Sequence, residues 1–208
     1  LVERTWLTTL LAGLPEAELA IATGNVLAAP PEGAAGVIPP AALVQRGERT
    51  FRGRQDADVV PGANVALRRA VALAAGGYDE RLGPGTRFPS AEDNDFGHRL
   101  MLFGCEVHHV PAAITLHRAW RTRSELVRLR WAYGRGKGAF YAKHASLRDG
   151  WMVRRALADL GRRVRRAFTS LPRAPKEAAA EVISIGGILS GAAGWFITVR
   201  IPERLHRG

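Results

Sequence analysis

Residues 61–117 read PGANVALRRAVALAAGGYDERLGPGTRFPSAEDNDFGHRLMLFGCEVHHVPAAITLH. The preceding DVV leads in as a short strand, Gly62 marks a turn, and the run from Leu67 to Ala75 predicts a helix. That helix stops at Gly76 and Gly77, the usual chemistry of a helix C-terminus. A second helix is predicted over 90–104, with Ser90 as N-cap, Asp93 three residues on, an apolar row of Phe96, Leu100 and Phe103, and Gly104 as the stop. CEVHHVPAAITLH then alternates as a strand that ends on His117. Helices alternating with strands in this way predict an α/β class.

Working outward, Trp6, Leu7, Leu10, Leu11 and Leu14 fall at helical spacing, and ELAIATGNVLA reads as a strand running into a turn at Gly24 and Asn25. Residues 28–58 are rich in Pro, Gly and Ala and then in charge. They predict a long excursion with little regular structure, a kind of segment that is often functional in a compact domain. On the other side, Ser124 can cap a helix through Arg130 and beyond, and WAYGRGKGAFYAKH continues it with interleaved aromatics, cations and glycines.

A cleaner helix is predicted from Trp151 to Leu171. Val153, Leu157, Leu160, Val164, Phe168 and Leu171 share one narrow stripe, and Arg154, Arg155, Arg162, Arg163, Arg165 and Arg166 spread over the opposite side. Such a helix either attaches to an anionic membrane surface or packs its stripe on the protein's own core, and periodicity does not choose between the two. Residues 182–199 then run without a charge, just long enough to span a bilayer, with Gly187 and Gly191 spaced for close helix approach.

The 208 residues, 47% of them hydrophobic, allow one sizeable core. A single cysteine, Cys105, excludes an internal disulfide and a cysteine-built metal site, and fits a reducing compartment. The formal charge of +11 is concentrated: residues 118–173 hold 16 Lys/Arg against three acids, leaving the remainder at −2. One cationic surface facing phosphates, anionic lipid or nucleic acid is expected. No zinc-finger spacing, RNA-recognition signature or helix-turn-helix pairing accompanies it, so specific nucleic-acid binding is not expected. The opening LVERTWLTTLLAGL lacks the order of an export signal and begins in mid-pattern, so a longer parent chain is expected.

The ordered landmarks Gly62 and Asn64, Arg68 and Arg69, the GGYDE turn, Glu92 and Asp93 ahead of Asp95 and Arg99, Gly104, and a strand leading to His117 resemble the acceptor half of family 2 glycosyltransferases of the GT-A fold. The resemblance covers residues 18–145. It implies a partial GT-A-like mixed sheet with flanking helices over 1–120; periodicity, charge and hydropathy add a basic amphipathic helical region at 121–173 and an apolar C-terminal helix at 174–208 that is a candidate for membrane association. The resemblance also implies a sugar transferase of hexosyltransferase type, for a cell-envelope polysaccharide, that takes a nucleotide-sugar donor and a saccharide or lipid-linked acceptor at the cytoplasmic face of the membrane.

By the same resemblance, Asp93 is the general base of an inverting displacement, with Glu92 as its alternate. Gly62, Asn64, Trp131, Arg135 and Lys137 border donor or acceptor, and His117 corresponds to a histidine that some members add as a metal ligand. The divalent cation, Mg²⁺ or Mn²⁺, takes its main ligands from an Asp-x-Asp motif expected upstream of residue 1. Bland alternatives stand beside each role: a capping box for Ser90 and Asp93, a tight turn for Gly62 and Asn64, a structural strand-end histidine, and a solvated basic helix face. For the chain as a whole, the alternative is a non-catalytic, basic membrane-surface module.

Overall fold

The computed structural model describes residues 1–30, 44–118, 121–145 and 150–200. These form two compact units, Leu1–Asp79 with Asp93–Arg123, and Glu80–Glu92 with Ser124–Gly208.

The first unit is built on a four-stranded mixed sheet, so the α/β class read from the sequence holds. Its central strands, β1 (Ala20–Ala28) and β4 (Glu106–His117), run parallel. The edges, β2 (Arg49–Phe51) and β3 (Val65–Leu67), lie antiparallel to β4 and β1 respectively, in the order β2-β4-β1-β3. Side chains alternate across this sheet because a strand turns successive residues to opposite faces. Ile21 and Val107 pack with Val71 of α2 (Arg69–Ala74) and with Phe96, Leu100 and Met101 of α3 (Glu92–Leu102). Ala22 and Ala113, on the other face, pack with Leu10 of α1 (Trp6–Ala12).

Three local expectations change. The turn expected at Gly24 and Asn25 does not form: β1 runs straight through, and the irregularity lies in β4. There Gly24 pairs with Val110 and Asn25 with Ile114, so Pro111–Ala113 are extra residues. Proline has no N–H for the ladder, which favours a break in pairing at that point. Glycine is needed at position 24 because an added Cβ would collide with the Ala113 carbonyl and stand 2.5 Å from Asn64 Nδ2. Second, Val59 and Val60 form no strand; they are buried loop residues of the helix-side core. Third, the excursion at 28–58 contributes the short edge strand β2. Residues 31–43, its centre, lie outside the described residues.

The second unit consists of α4 (Arg123–His144), α5 (Trp151–Ser170), α6 (Pro175–Arg200) and the loop leading to Glu92. Helix α4 continues unbroken through Gly134, Gly136 and Gly138. Two of these glycines form a close helix contact with α6: a Cβ added at Gly134 would stand 2.5 Å from the Ser184 carbonyl oxygen, and one at Gly138 would stand 2.7 Å from the Ile188 carbonyl carbon. The spacing of Gly187 and Gly191 completes the contact from the α6 side, where Cβ atoms would meet the backbone of Trp131 and Arg135. Around this contact, Phe140 is fully buried with Ala91, Tyr141, Met152 and Ile188. Enclosing a side chain of that size stabilises by about 2–3 kcal/mol. Phe88 of the loop lies against Trp195, ring centroids 5.5 Å apart.

The two readings of α5 now separate. Its buried residues are Met152 and Arg155, and Arg163 is tied to Asp159 at 3.3 Å and to Glu181 of α6 at 3.1 Å. Of the apolar stripe only Leu160 packs on the protein, against the cluster around Phe140; the rest faces away, with Leu157 62% exposed and Phe168 73%. Of the described helices, one, over Pro175–Thr198, is long and apolar enough to cross a membrane.

Candidate active site

The first unit places Asp93 in the opening turn of α3, beside the turn Pro61–Asn64 that leads into β3. That turn is closed by the Asn64 N–H donating to the Pro61 carbonyl at 3.1 Å. The Gly62 N–H donates to Asp93 Oδ2 at 3.4 Å, and the Asn94 N–H donates to Oδ1 at 2.8 Å. Gly62 therefore lies against the Asp93 carboxylate, and a Cβ there would come within 3.1 Å of Asp93 Cβ.

Asn64 is placed differently. It is 1% exposed, and its amide is engaged on both ends: Nδ2 donates to the Asn25 carbonyl at 2.9 Å and to the Ala113 carbonyl at 2.8 Å, while Oδ1 accepts from Trp6 Nε1–H at 3.0 Å. The partners settle which end is which, since two carbonyls require the NH₂ and an indole requires the oxygen. Asn64 is an internal tie joining α1, β1 and the irregularity in β4, and through its backbone it holds the turn that bears Gly62.

Behind it lies a buried polar chain that the sequence did not signal. Asn25 Oδ1 accepts from the Gln45 N–H at 2.8 Å, which identifies it as the oxygen; His109 Nε2, 3.2 Å away, must then donate to it. His109 Nδ1 is left to accept from the Thr23 hydroxyl at 3.4 Å. Burial pushes the His109 pKa down, which favours this neutral form. Only the alternation of Val107 and His109 along β4 could have indicated that the second of the two adjacent histidines points inward. His108 instead faces Thr50 and Glu106.

The helix start also departs from a capping box. Ser90 Oγ does not cap α3; it donates towards the Tyr133 carbonyl of α4 at 3.2 Å and lies against Gly136. Ala91, the residue between it and the helix, has φ 70°, a left-handed conformation that costs a non-glycine residue roughly 1–2 kcal/mol. Strain of this kind is held in place by surrounding packing and clusters at functional sites. Here the packing is explicit, because Ala91 is buried with Phe140 and Tyr141. Directly after this strained residue, Glu92 lies beside Gly83.

Two residues on from Asp93, Asp95 is fully buried and receives Arg99 Nε–H at 2.9 Å. The same guanidinium donates to the carbonyls of Ala75 and Gly77, so Asp95 and Arg99 lock the end of α2 onto α3. Glu92, Asp93, Asp95 and Arg99 thus divide between a half-buried carboxylate pair and an internal lock.

The remaining candidates lie on α4 and at the end of β4. Trp131 is half-exposed with its ring edge near Gly186, and Arg135, four residues on, shares that side of the helix. Arg135 Nε is buried without a hydrogen-bond partner. Lys137 lies on another side of α4, its ammonium 5.2 Å from the Phe140 ring centre and 5.5 Å from that of Tyr141. The structure thus keeps Trp131 and Arg135 together and separates Lys137 from them. His117 is exposed at the end of β4, paired with Ala28. Among the described residues, no three His, Cys, Asp or Glu side chains come together to hold a metal ion, so His117 offers a single imidazole.

Comparison with protein-family models, curated proteins and solved structures finds no match for this chain.

Proposed function

We propose that the chain is the acceptor-side part of a family 2 glycosyltransferase with a GT-A-like sheet, and that Asp93 is its general base. The observation that carries this reading is the Asp93 carboxylate at the start of α3, held against the Gly62 turn by that residue's N–H. Two features add support: the strained Ala91 at the helix entry, and a mixed sheet whose central strands run parallel.

A sugar hydroxyl is a weak nucleophile until a positioned base removes its proton. In the proposed step, Asp93 accepts the acceptor's proton as the hydroxyl oxygen bonds to the anomeric carbon. The bond from that carbon to the nucleoside diphosphate breaks, and the electron pair leaves with the phosphate, inverting the configuration. Backbone donation from Gly62 and Asn94 fixes the direction of the carboxylate. Glu92 is the alternate base. A divalent cation would stabilise the leaving diphosphate; His117 would give it one nitrogen ligand, with the rest from outside this chain. The acceptor is assigned to the cytoplasmic membrane face, where the basic helical region meets anionic lipid.

The test is Asp93→Asn in the complete enzyme. Sugar transfer should fall by about 10²–10⁴-fold, the usual contribution of a general base, with nucleotide binding retained. Near-normal turnover refutes the assignment.

A further inference from the structure

We infer that α5 lies in the plane of an anionic lipid surface, with its apolar stripe in the acyl boundary, and that α6 packs behind it without spanning the bilayer. This deepens the membrane-face part of the proposed function and is independent of catalysis.

The inference begins from a mismatch between the helix's sequence and its packing. An amphipathic helix in a water-soluble protein normally turns its apolar stripe to the core. Helix α5 turns most of its stripe away. The side it turns to the protein carries Met152, Arg155, Asp159 and Arg163, with Ala156 and Leu160 at its apolar edge, and its polar groups are satisfied there. Tyr141 donates its hydroxyl to Asp159 at 3.1 Å, Arg163 bridges Asp159 and Glu181, and Arg155 lies over the rings of Phe140 and Trp151. The outward stripe leaves Leu157, Phe168 and Leu171 more than half exposed, and Val153 and Val164 only somewhat less. Burying a satisfied polar face while exposing two leucines, two valines and a phenylalanine in one row requires an apolar partner for that row.

Charge selects the partner. Arg154 and Arg165 are exposed on the outer flank of the stripe and Arg162 and Arg166 on the side opposite it, and the one acid of α5, Asp159, is turned inward to Arg163 and Tyr141. An apolar row on a helix whose exposed charges are all cationic matches a bilayer whose headgroups are anionic, with the arginine stems reaching back to the phosphates. A second copy of this chain would bring the same arginines against one another, which is unfavourable.

The pairing of α6 with α4 decides against a span. The centre of α6, Gly187 to Gly191, is in close contact with the backbone of Trp131, Gly134 and Arg135. Carrying that centre to mid-bilayer would draw Arg135 and Lys137 of α4 into the hydrocarbon, where cationic side chains are strongly disfavoured.

The test is co-sedimentation of the 208-residue protein with vesicles of phosphatidylglycerol and phosphatidylcholine, set against phosphatidylcholine alone. Binding is expected to the anionic vesicles only and to fall with added salt. Leu157→Ser with Phe168→Ser should lower it at least about tenfold, as expected for two large apolar side chains leaving the boundary. Arg162→Glu, Arg165→Glu and Arg166→Glu together should abolish the preference for anionic lipid. These positions are exposed, so circular dichroism of the variants should match the parent. Indifference to vesicles, or concentration-dependent self-association abolished by the same two serines, overturns the proposal. Salt-independent binding to neutral vesicles overturns it in favour of a span through α6. None of these outcomes bears on Asp93, whose test is sugar transfer.

Discussion

The glycine contact between α4 and α6 makes one chemical change act with opposite signs at two positions. Glycine inside a helix is less favourable than alanine by about 1 kcal/mol, so propensity alone predicts that Gly→Ala stabilises any of these helices. At Gly161 of α5 nothing lies within 4 Å of an added Cβ, and the full gain should appear. At Gly138 the same Cβ would collide with the Ile188 carbonyl oxygen and stand 2.7 Å from its carbon and 2.8 Å from Ala192 N. These are backbone atoms, so no rotamer can relieve the contact; the helices must part by more than half an ångström. Sliding does not help either, because Gly134, Gly187 and Gly191 meet the facing helix just as tightly. A gap of that size forfeits about a quarter to a half of the dispersion energy along the contact, and overpacking of this kind costs typically 1–3 kcal/mol. Gly138→Ala should therefore destabilise by a net of about 1–2 kcal/mol. In thermal unfolding followed by circular dichroism, Gly161→Ala should raise Tm by about 2–4 °C and Gly138→Ala should lower it by a similar amount or more. Equal stabilisation by both changes would refute the close packing of α4 on α6.

Further expectations follow from the polar groups. Below the ordinary histidine value of 6.5, an unfolded chain binds a proton at His109 that the folded one resists, so stability should fall as pH drops from 6.5 towards the depressed folded value and then level off. Urea unfolding across this range tests it, and a slope unchanged in His109→Gln would reject the assignment. Asp95→Ala removes one partner of an inward ion pair and should cost about 3 kcal/mol in the same assay, because Arg99 loses its carboxylate. Asn64→Ala should destabilise by about 1–3 kcal/mol, through two carbonyls and an indole N–H left without partners; a change within error would show that water replaces the amide. Asp93→Asn, by contrast, should leave the urea midpoint nearly unchanged while removing transfer in the complete enzyme, which separates catalysis from stability.

Much of the helix content was legible because its signals are local. Gly76 and Gly77 end α2, and Gly104 follows α3, all three at positive φ. The 3.6-residue stripe of α5 was visible in the order of residues alone. So was the spacing of Gly187 and Gly191, since close approach requires small residues whatever the partner. The partner itself was not visible. Gly134 and Gly138 read as part of a cationic, aromatic segment, and only the fold brings them to α6.

The candidate site divides in the same way. Asp93 could be singled out by its place in an ordered series of residues, but the use of each neighbour depended on contacts between distant parts of the chain. Ser90 has the spacing of a cap yet bonds to α4, forty-three residues away, because Gly136 leaves room for it there. Asn64 has the look of a substrate ligand and is an internal tie, because Trp6 and Ala113 occupy both ends of its amide. Gly24 suggested a turn and is a strand residue, because the extra residues, Pro111–Ala113, fall in β4. Sequence by itself determined the class of elements and the amphipathic design of α5, both properties of short-range periodicity. Which face of α5 meets the protein was decided only by tertiary structure, since a period states that two faces differ but not which of them finds a partner.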